Sequence, residues 1–164
     1  MSKTDNFEQI ITNVLKNEGG YVNDPTDKGG ETNFGISKRT YPDINIKNLT
    51  LNQAKTIYKR DFWDKQQYNK IDNINIAAKI FDLSVNIGVS KANILIQRAL
   101  RSVGINVSRD GILGIVTLSA INKTSSTELL AALKSEAAGY YRSVVASNKK
   151  NSKFLKGWLK RAYA

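Results

Sequence analysis

The stretch NEGGYVNDPTDKGGETNFGI, residues 17–36, decides how the first half of this chain folds. Its glycines and its proline interrupt the hydrophobic period of the preceding segment, so we predict a β-hairpin or irregular loop insert over residues 20–36. The pair Gly19-Gly20 ends the first helix and leaves Glu18 at its C-terminus. An acidic side chain there faces the negative pole of the helix dipole, a setting suited to a proton donor.

Outward from this stretch, the hydrophobic residues follow a helical period. The segment before it, opened by Asp5 and Glu8 as a capping-box-like pair, carries one apolar stripe: Phe7, Ile10, Ile11, Val14 and Leu15. Later helices are predicted to begin near Thr50, Ile76, Ser90, residue 116, Thr127 and Ser152. The fold is therefore predicted to be mainly α, with one small non-helical insert.

Composition removes several kinds of chemistry. The 164 residues include no Cys and no His. This excludes disulfides, Cys nucleophiles and Ser-His-Asp triads, and it leaves no ligand set for a structural zinc ion. We expect no metal and no cofactor, and carboxylates are the commonest acid–base groups that remain.

Charge is divided unevenly along the chain. Residues 1–82 hold 12 Lys/Arg against 11 Asp/Glu, a net of +1, and residues 83–164 hold 13 against 3, a net of +10. The first half can supply an acid–base site, and the second half can attract a polyanion such as nucleic acid, an anionic membrane or a bacterial envelope. A basic face that serves solubility is the simpler alternative.

The carboxylates of residues 17–36 suggest a division of roles. Glu18 is the candidate general acid, because breaking a glycosidic bond requires protonation of the leaving oxygen. Asp27 and Thr32 follow on a glycine-rich segment that can fold back and orient a water, an inverting arrangement; Asp24 and Glu31 compete for this second role. For each residue the alternative is structural: Glu18 precedes an ordinary glycine cap, and the others are turn residues.

The run EGGYVNDPTDKGGETNFGIS resembles the signature of glycoside hydrolase family 108, phage and bacterial N-acetylmuramidases that include proteins once labelled secretion activators. The resemblance continues through residues 54–58, 62–64, 81–82, 85–89, 97–100 and 110–114. It implies a lysozyme-like helical fold, with Glu18 as the catalytic acid and Asp27 and Thr32 in the order of the downstream pair. It also implies cleavage between N-acetylmuramic acid and N-acetylglucosamine in peptidoglycan.

The resemblance also implies a division of labour along the chain. Residues 1–88 form the catalytic part, and residues 89–164 form a C-terminal helical part that packs on it and binds peptidoglycan. We expect a monomer made in the cytoplasm without a Sec signal, which acts on the wall after release by a partner, as a phage or prophage endolysin does.

Further residues are candidates for holding the substrate. Asp82 and Asn86 share one face of the most apolar helix, either as the floor of a sugar groove or as a hydrogen bond between helices. Tyr21 and Phe34 carry rings that can stack on sugars, and Asp24 and Glu31 lie beside them. Trp63 can do the same or be buried in the core.

The C-terminal segment is basic and amphipathic. Its cations are Lys149, Lys150, Lys153, Lys156, Lys160 and Arg161. This pattern predicts contact with anionic envelope polymers or a membrane surface. The alternative is that Phe154, Leu155, Trp158 and Leu159 dock the helix onto the domain.

Three competing functions follow from the same residues. A lytic transglycosylase uses the same acid and leaves an anhydro-sugar end. A non-catalytic envelope-binding or export-helper protein would keep the fold and not need Glu18. Nucleic-acid binding rests on charge alone, and we predict none because no recognition motif is present. Zinc amidases and Cys/His endopeptidases are excluded by composition.

Overall fold

The computed structural model describes residues 3–26 and 30–164, and the described residues are mainly helical, as predicted. They form two compact units, which divide between Asn69 and Lys70. The α-helices among them are α1 Lys3–Asn17, α2 Leu51–Tyr58, α3 Ile74–Ile87, α4 Val89–Ser102, α5 Ile115–Lys123, α6 Ser126–Ser147 and α7 Leu155–Tyr163.

The first unit is built on α1 and α2. The predicted apolar stripe of α1 is buried, and Phe7 packs against the buried Trp63 with ring centroids 5.6 Å apart. Thr50 caps α2 in a reciprocal capping box with Gln53, which explains why the helix begins there. The chain then continues as a π-helical turn, Lys59–Asp64. Trp63 is thus a core residue.

The insert of the first unit is a three-stranded antiparallel sheet instead of a single hairpin. Its strands are β1 Val22–Asn23, β2 Glu31–Asn33 and β3 Ile36–Ser37, in that spatial order. Phe34 and Gly35 join β2 to β3 with φ of 53° and 78°. Positive φ at both residues matches the right-handed twist of a two-residue hairpin turn.

The second unit is helical and centres on α3, whose inner residues are fully buried. Gly88, with φ of 94°, connects α3 to α4. Helix α4 therefore begins at Val89 with Gly88 as its N-cap, and the prediction that Ser90 caps it is wrong.

The C-terminal segment of the second unit docks through its aromatic residues. The single helix predicted from Ser152 is instead a 3-10 helix, Lys149–Phe154, followed by α7. Trp158 stacks on Tyr141 of α6 at 5.4 Å, which is the docking alternative described above. Within the described part of the chain, no helix is long and apolar enough to cross a membrane.

Candidate active site

Glu18 lies directly after the last residue of α1, as the glycine pair predicts, and its side chain is half-buried. Gly19 and Gly20 are exposed, and a Cβ built on either would meet nothing within 4 Å. The backbone at these two positions is therefore open. Because glycine has no side chain, neither residue hinders the approach of a bulky substrate.

Gly35 brings the turn between β2 and β3 against this carboxyl group. A Cβ built on Gly35 would lie 3.0 Å from Glu18 Oε2 and 2.7 Å from the hydroxyl of Tyr58. The distance to the Tyr58 hydroxyl is shorter than real Cβ contacts and the distance to Glu18 is tight, so a side chain at Gly35 would displace one or both of these groups. The contact fixes the turn next to the candidate acid, across 17 positions of sequence.

Tyr58, at the end of α2, forms a hydrogen bond with the same turn. Its hydroxyl donates a 2.7 Å hydrogen bond to the carbonyl of Phe34. Burial raises the pKa of Tyr58, and the nearby Glu18 carboxylate raises it further, so this hydroxyl stays protonated and keeps donating. The bond offsets the roughly 1–3 kcal/mol that a non-glycine residue costs at positive φ.

A second tyrosine anchors the π-helical turn that follows α2. The Tyr41 hydroxyl donates to Asp61 at 2.7 Å, and Arg60 pairs with the same carboxylate. The Arg60 guanidinium lowers the pKa of Asp61 to about 2, and the Tyr41 bond adds to this effect. Asp61 is therefore a carboxylate at neutral pH and cannot donate a proton.

The other candidates of the first unit have local partners. Asp24 accepts hydrogen bonds from the backbone N–H and the hydroxyl of Thr26, and these bonds lower its pKa. Glu31 accepts from the Tyr21 hydroxyl at 3.0 Å. Thr32 lies in the middle strand, paired with Val22 and Ser37. Asp27 falls outside the described residues, so the assignment of the second catalytic role stays a prediction.

Asp82 and Asn86 belong to the second unit. Arg161 of α7 donates to both carboxylate oxygens of Asp82, at 2.9 and 3.3 Å. Asn86 donates to the Tyr141 hydroxyl of α6. Both bonds join α3 to other helices, as the structural alternative predicts, while the substrate-binding roles stay predictions. Among the described residues, no cluster of three or more His, Cys, Asp or Glu is arranged to hold a metal ion.

Comparison with known proteins relates the residues around Glu18 to glycoside hydrolases. Residues 11–88 match the family model described as Glycosyl hydrolase 108. Over these residues the resemblance to glycoside hydrolase family 108 is confirmed. Residues 91–163 match a second model, described as Predicted Peptidoglycan domain. A search of curated protein sequences gave no match.

The chain is also similar to a solved structure, that of Brucella abortus SagA. The two are 26% identical, the likeness covers 97% of this chain and 90% of that one, and the TM-score is 0.78. The predicted family, the lysozyme-like mainly α fold and the glycoside hydrolase activity are confirmed. The two family models together make this enzyme a peptidoglycan hydrolase.

Gly35 and Tyr58 are the site residues that sequence reasoning missed. Tyr58 is a buried residue of α2 and Gly35 is a glycine of the insert, and neither feature predicts a position beside Glu18. A β-turn signal was present in Asn33-Phe34-Gly35, but nothing in the sequence pairs that turn with α2. Their proximity to Glu18 becomes visible only in the fold.

Proposed function

We propose that this enzyme is an N-acetylmuramidase that hydrolyses the β-1,4 bond between N-acetylmuramic acid and N-acetylglucosamine, with Glu18 as general acid. The observation that carries the proposal is the setting of Glu18. Glu18 is half-buried, and its carboxyl group lies against the glycine turn at Gly35. The two residues that follow it, Gly19 and Gly20, are exposed and have open space around them.

The proposed reaction is a single displacement with inversion. Glu18 gives its proton to the glycosidic oxygen as the bond from that oxygen to C1 of the muramic acid breaks. A water attacks C1 from the opposite face and loses its proton to Asp27, while Thr32 orients the water. The products are a new N-acetylglucosamine hydroxyl and a reducing muramic acid of inverted configuration.

Purified peptidoglycan, digested with wild type and with Glu18→Gln, tests this proposal. Glu8→Gln is the matched control, since Glu8 is an exposed residue of α1 that pairs with Lys55 at 3.2 Å. Wild type and Glu8→Gln should release fragments with reducing muramic-acid ends. Glu18→Gln should lose at least about 100-fold in rate, the contribution of a positioned general acid.

The same digestion separates the alternatives by mass and by anomeric configuration. Anhydro-muramic ends would instead make the enzyme a lytic transglycosylase. A first product with retained configuration would contradict the inverting mechanism, and full activity of Asp27→Asn would contradict the role of Asp27 as base.

We further propose that the enzyme acts on the wall after release from the cytoplasm, as a phage or prophage endolysin. The family resemblance supports this. Expression in bacteria with and without a separate membrane-permeabilising protein tests it. Lysis that needs that protein is the expected result, and lysis without it would contradict the proposal.

A further inference from the structure

A small cleft opens in the second unit where α3, α4, α6 and α7 meet. Its volume is about 290 Å³, and it is lined by Asn86, Ile87, Lys91, Tyr140, Tyr141, Val144 and Trp158. This volume is at the lower end of the range for ligand pockets, about 300–1,000 Å³, and suits a short segment of a polymer. The proposed acid Glu18 lies in the other unit.

The rings of the cleft form a wall. Tyr140 meets Tyr141 edge-on at 5.6 Å, and Tyr141 stacks on Trp158. The ammonium group of Lys91 lies over the Tyr140 ring, 5.7 Å from its centroid. A cation therefore covers that aromatic face, where a sugar ring would otherwise stack. The cleft is thus better suited to a ligand that meets the ammonium group than to one that needs an open ring.

The position of Lys91 in α4 is electrostatically unfavourable for the helix. Lys91 is exposed and lies in the first turn of α4, where the helix dipole disfavours a positive charge. Among the described residues that line the cleft, Lys91 alone carries a formal charge. Residues 137–164, which supply much of that lining, contain seven Lys/Arg and no Asp/Glu. The potential at the cleft therefore favours an anion.

Peptidoglycan carries its carboxylates on the stem peptides. In the intact polymer the glycan strand is neutral, because the lactyl carboxyl groups are in amide linkage to those peptides. We propose that this cleft binds a carboxylate-bearing stem peptide, with Lys91 contacting the carboxylate. Asn86, which already donates to Tyr141, contacts a peptide group, since a carboxamide is both donor and acceptor. This inference rests on the proposed function, because it takes peptidoglycan as the substrate.

Titration of the full-length Glu18→Gln enzyme with a purified stem tetrapeptide tests the inference, with Trp158 fluorescence and calorimetry as readouts. Two further ligands are the same peptide with its carboxylates amidated and a peptide-free oligosaccharide of the glycan strand. The titration with the acidic peptide is also repeated at raised salt. The acidic peptide should bind, and amidation or Lys91→Gln should weaken binding at least about 10-fold, as loss of a charge-assisted contact does. Lys91→Arg should restore it.

Lys123→Gln is the matched control, since Lys123 is an exposed lysine of α5 outside the cleft. Equal binding by Lys91→Gln and wild type, or binding of the oligosaccharide alone, would overturn the inference. Its failure is distinguishable from failure of the proposed function, because wild type would still release muramic-acid ends from whole peptidoglycan. Conversely, peptide binding by an enzyme that leaves no such ends would contradict only the proposed cleavage.

Discussion

Gly35 is required for two reasons, its backbone conformation and its close approach to two side chains. Its φ of 78° lies in the region that L-residues rarely adopt, and its Cα approaches both Glu18 and Tyr58. The positive φ concerns the backbone alone. The close approach concerns the position of the Glu18 carboxyl group, which we assign as the acid. Substitution can separate the two effects, because other glycines of the chain have a positive φ without such a close approach.

Gly35→Ala should cost about 1–2 kcal/mol in folding free energy through its positive φ, and it should also displace Glu18 or Tyr58. Because displacing a reacting group by about 1 Å can cost on the order of 100-fold in rate, we expect a loss of that size in kcat. Gly104→Ala is the control: φ is 93° there, but a Cβ would meet nothing within 4 Å. Thermal unfolding and peptidoglycan turnover of both variants check this. Equal kcat losses would show that the Gly35 contact does not position the acid.

At the scale of elements, Gln97 of α4 fixes the loop before α5. It is fully buried, its amide nitrogen donates to Asp110 and to the carbonyl of Ile112, and its amide oxygen accepts from the N–H of Gly111 at 2.9 Å. One side chain thus satisfies several groups of a loop that has no regular structure. These bonds hold the backbone of Gly111 and Ile112 to α4.

Gln97→Met should lower the free energy of unfolding by about 2–4 kcal/mol, because it leaves two part-buried backbone groups of the loop without partners. Denaturant titration measures this. Ile115→Gln in the same region should change stability by less than about 0.5 kcal/mol, since Ile115 is 86% exposed. A loss below about 1 kcal/mol for Gln97→Met would contradict the role given to this residue.

Lys79 of α3, which contacts the end of α7, should make the stability of the fold depend on pH. It is 7% exposed and donates to the carbonyl of Arg161 at 2.7 Å. Burial lowers its pKa from 10.5 to about 8, against the opposing effect of Asp82. Between these values the unfolded chain binds more protons than the folded one, so a rise in pH through this window adds stability and acidification below it adds no further loss.

The expected gain from this group alone is on the order of 3 kcal/mol between about pH 8 and 10.5. It is measured as the difference in unfolding free energy between wild type and Lys79→Met at each pH, since other groups titrate alike in both proteins. A difference that stays flat across the window would mean that Lys79 keeps its ordinary pKa in the fold.

The helices were predictable because their signals are local. The Thr50 cap, the glycine pair after Glu18 and the apolar stripes all act within a few residues, and the structure follows them. The contacts that define the site are not local. The Tyr58–Phe34 bond spans 24 positions and the Arg161–Asp82 pair spans 79, and no periodicity records either. The same limit explains why Gly35 was missed.

At the scale of the whole molecule, the uneven charge should act on binding to the wall before any chemistry occurs. The second unit holds 15 Lys/Arg against 5 Asp/Glu in residues 70–164, so nearly all of the net +11 lies there. Raising the ionic strength from about 0.01 M to about 0.3 M shortens the screening length from about 30 Å to about 6 Å. We therefore expect Glu18→Gln to lose at least about 10-fold in affinity for purified sacculi across this range.

The location of the charge can be tested in the same Glu18→Gln protein with two pairs of lysine substitutions. The pair Lys156→Gln and Lys160→Gln should flatten the salt dependence of this affinity more than the pair Lys16→Gln and Lys47→Gln. All four lysines are exposed, and both pairs remove the same charge. Sedimentation with sacculi measures both, and equal slopes for the two pairs would mean that total charge, and not its location in the second unit, governs binding.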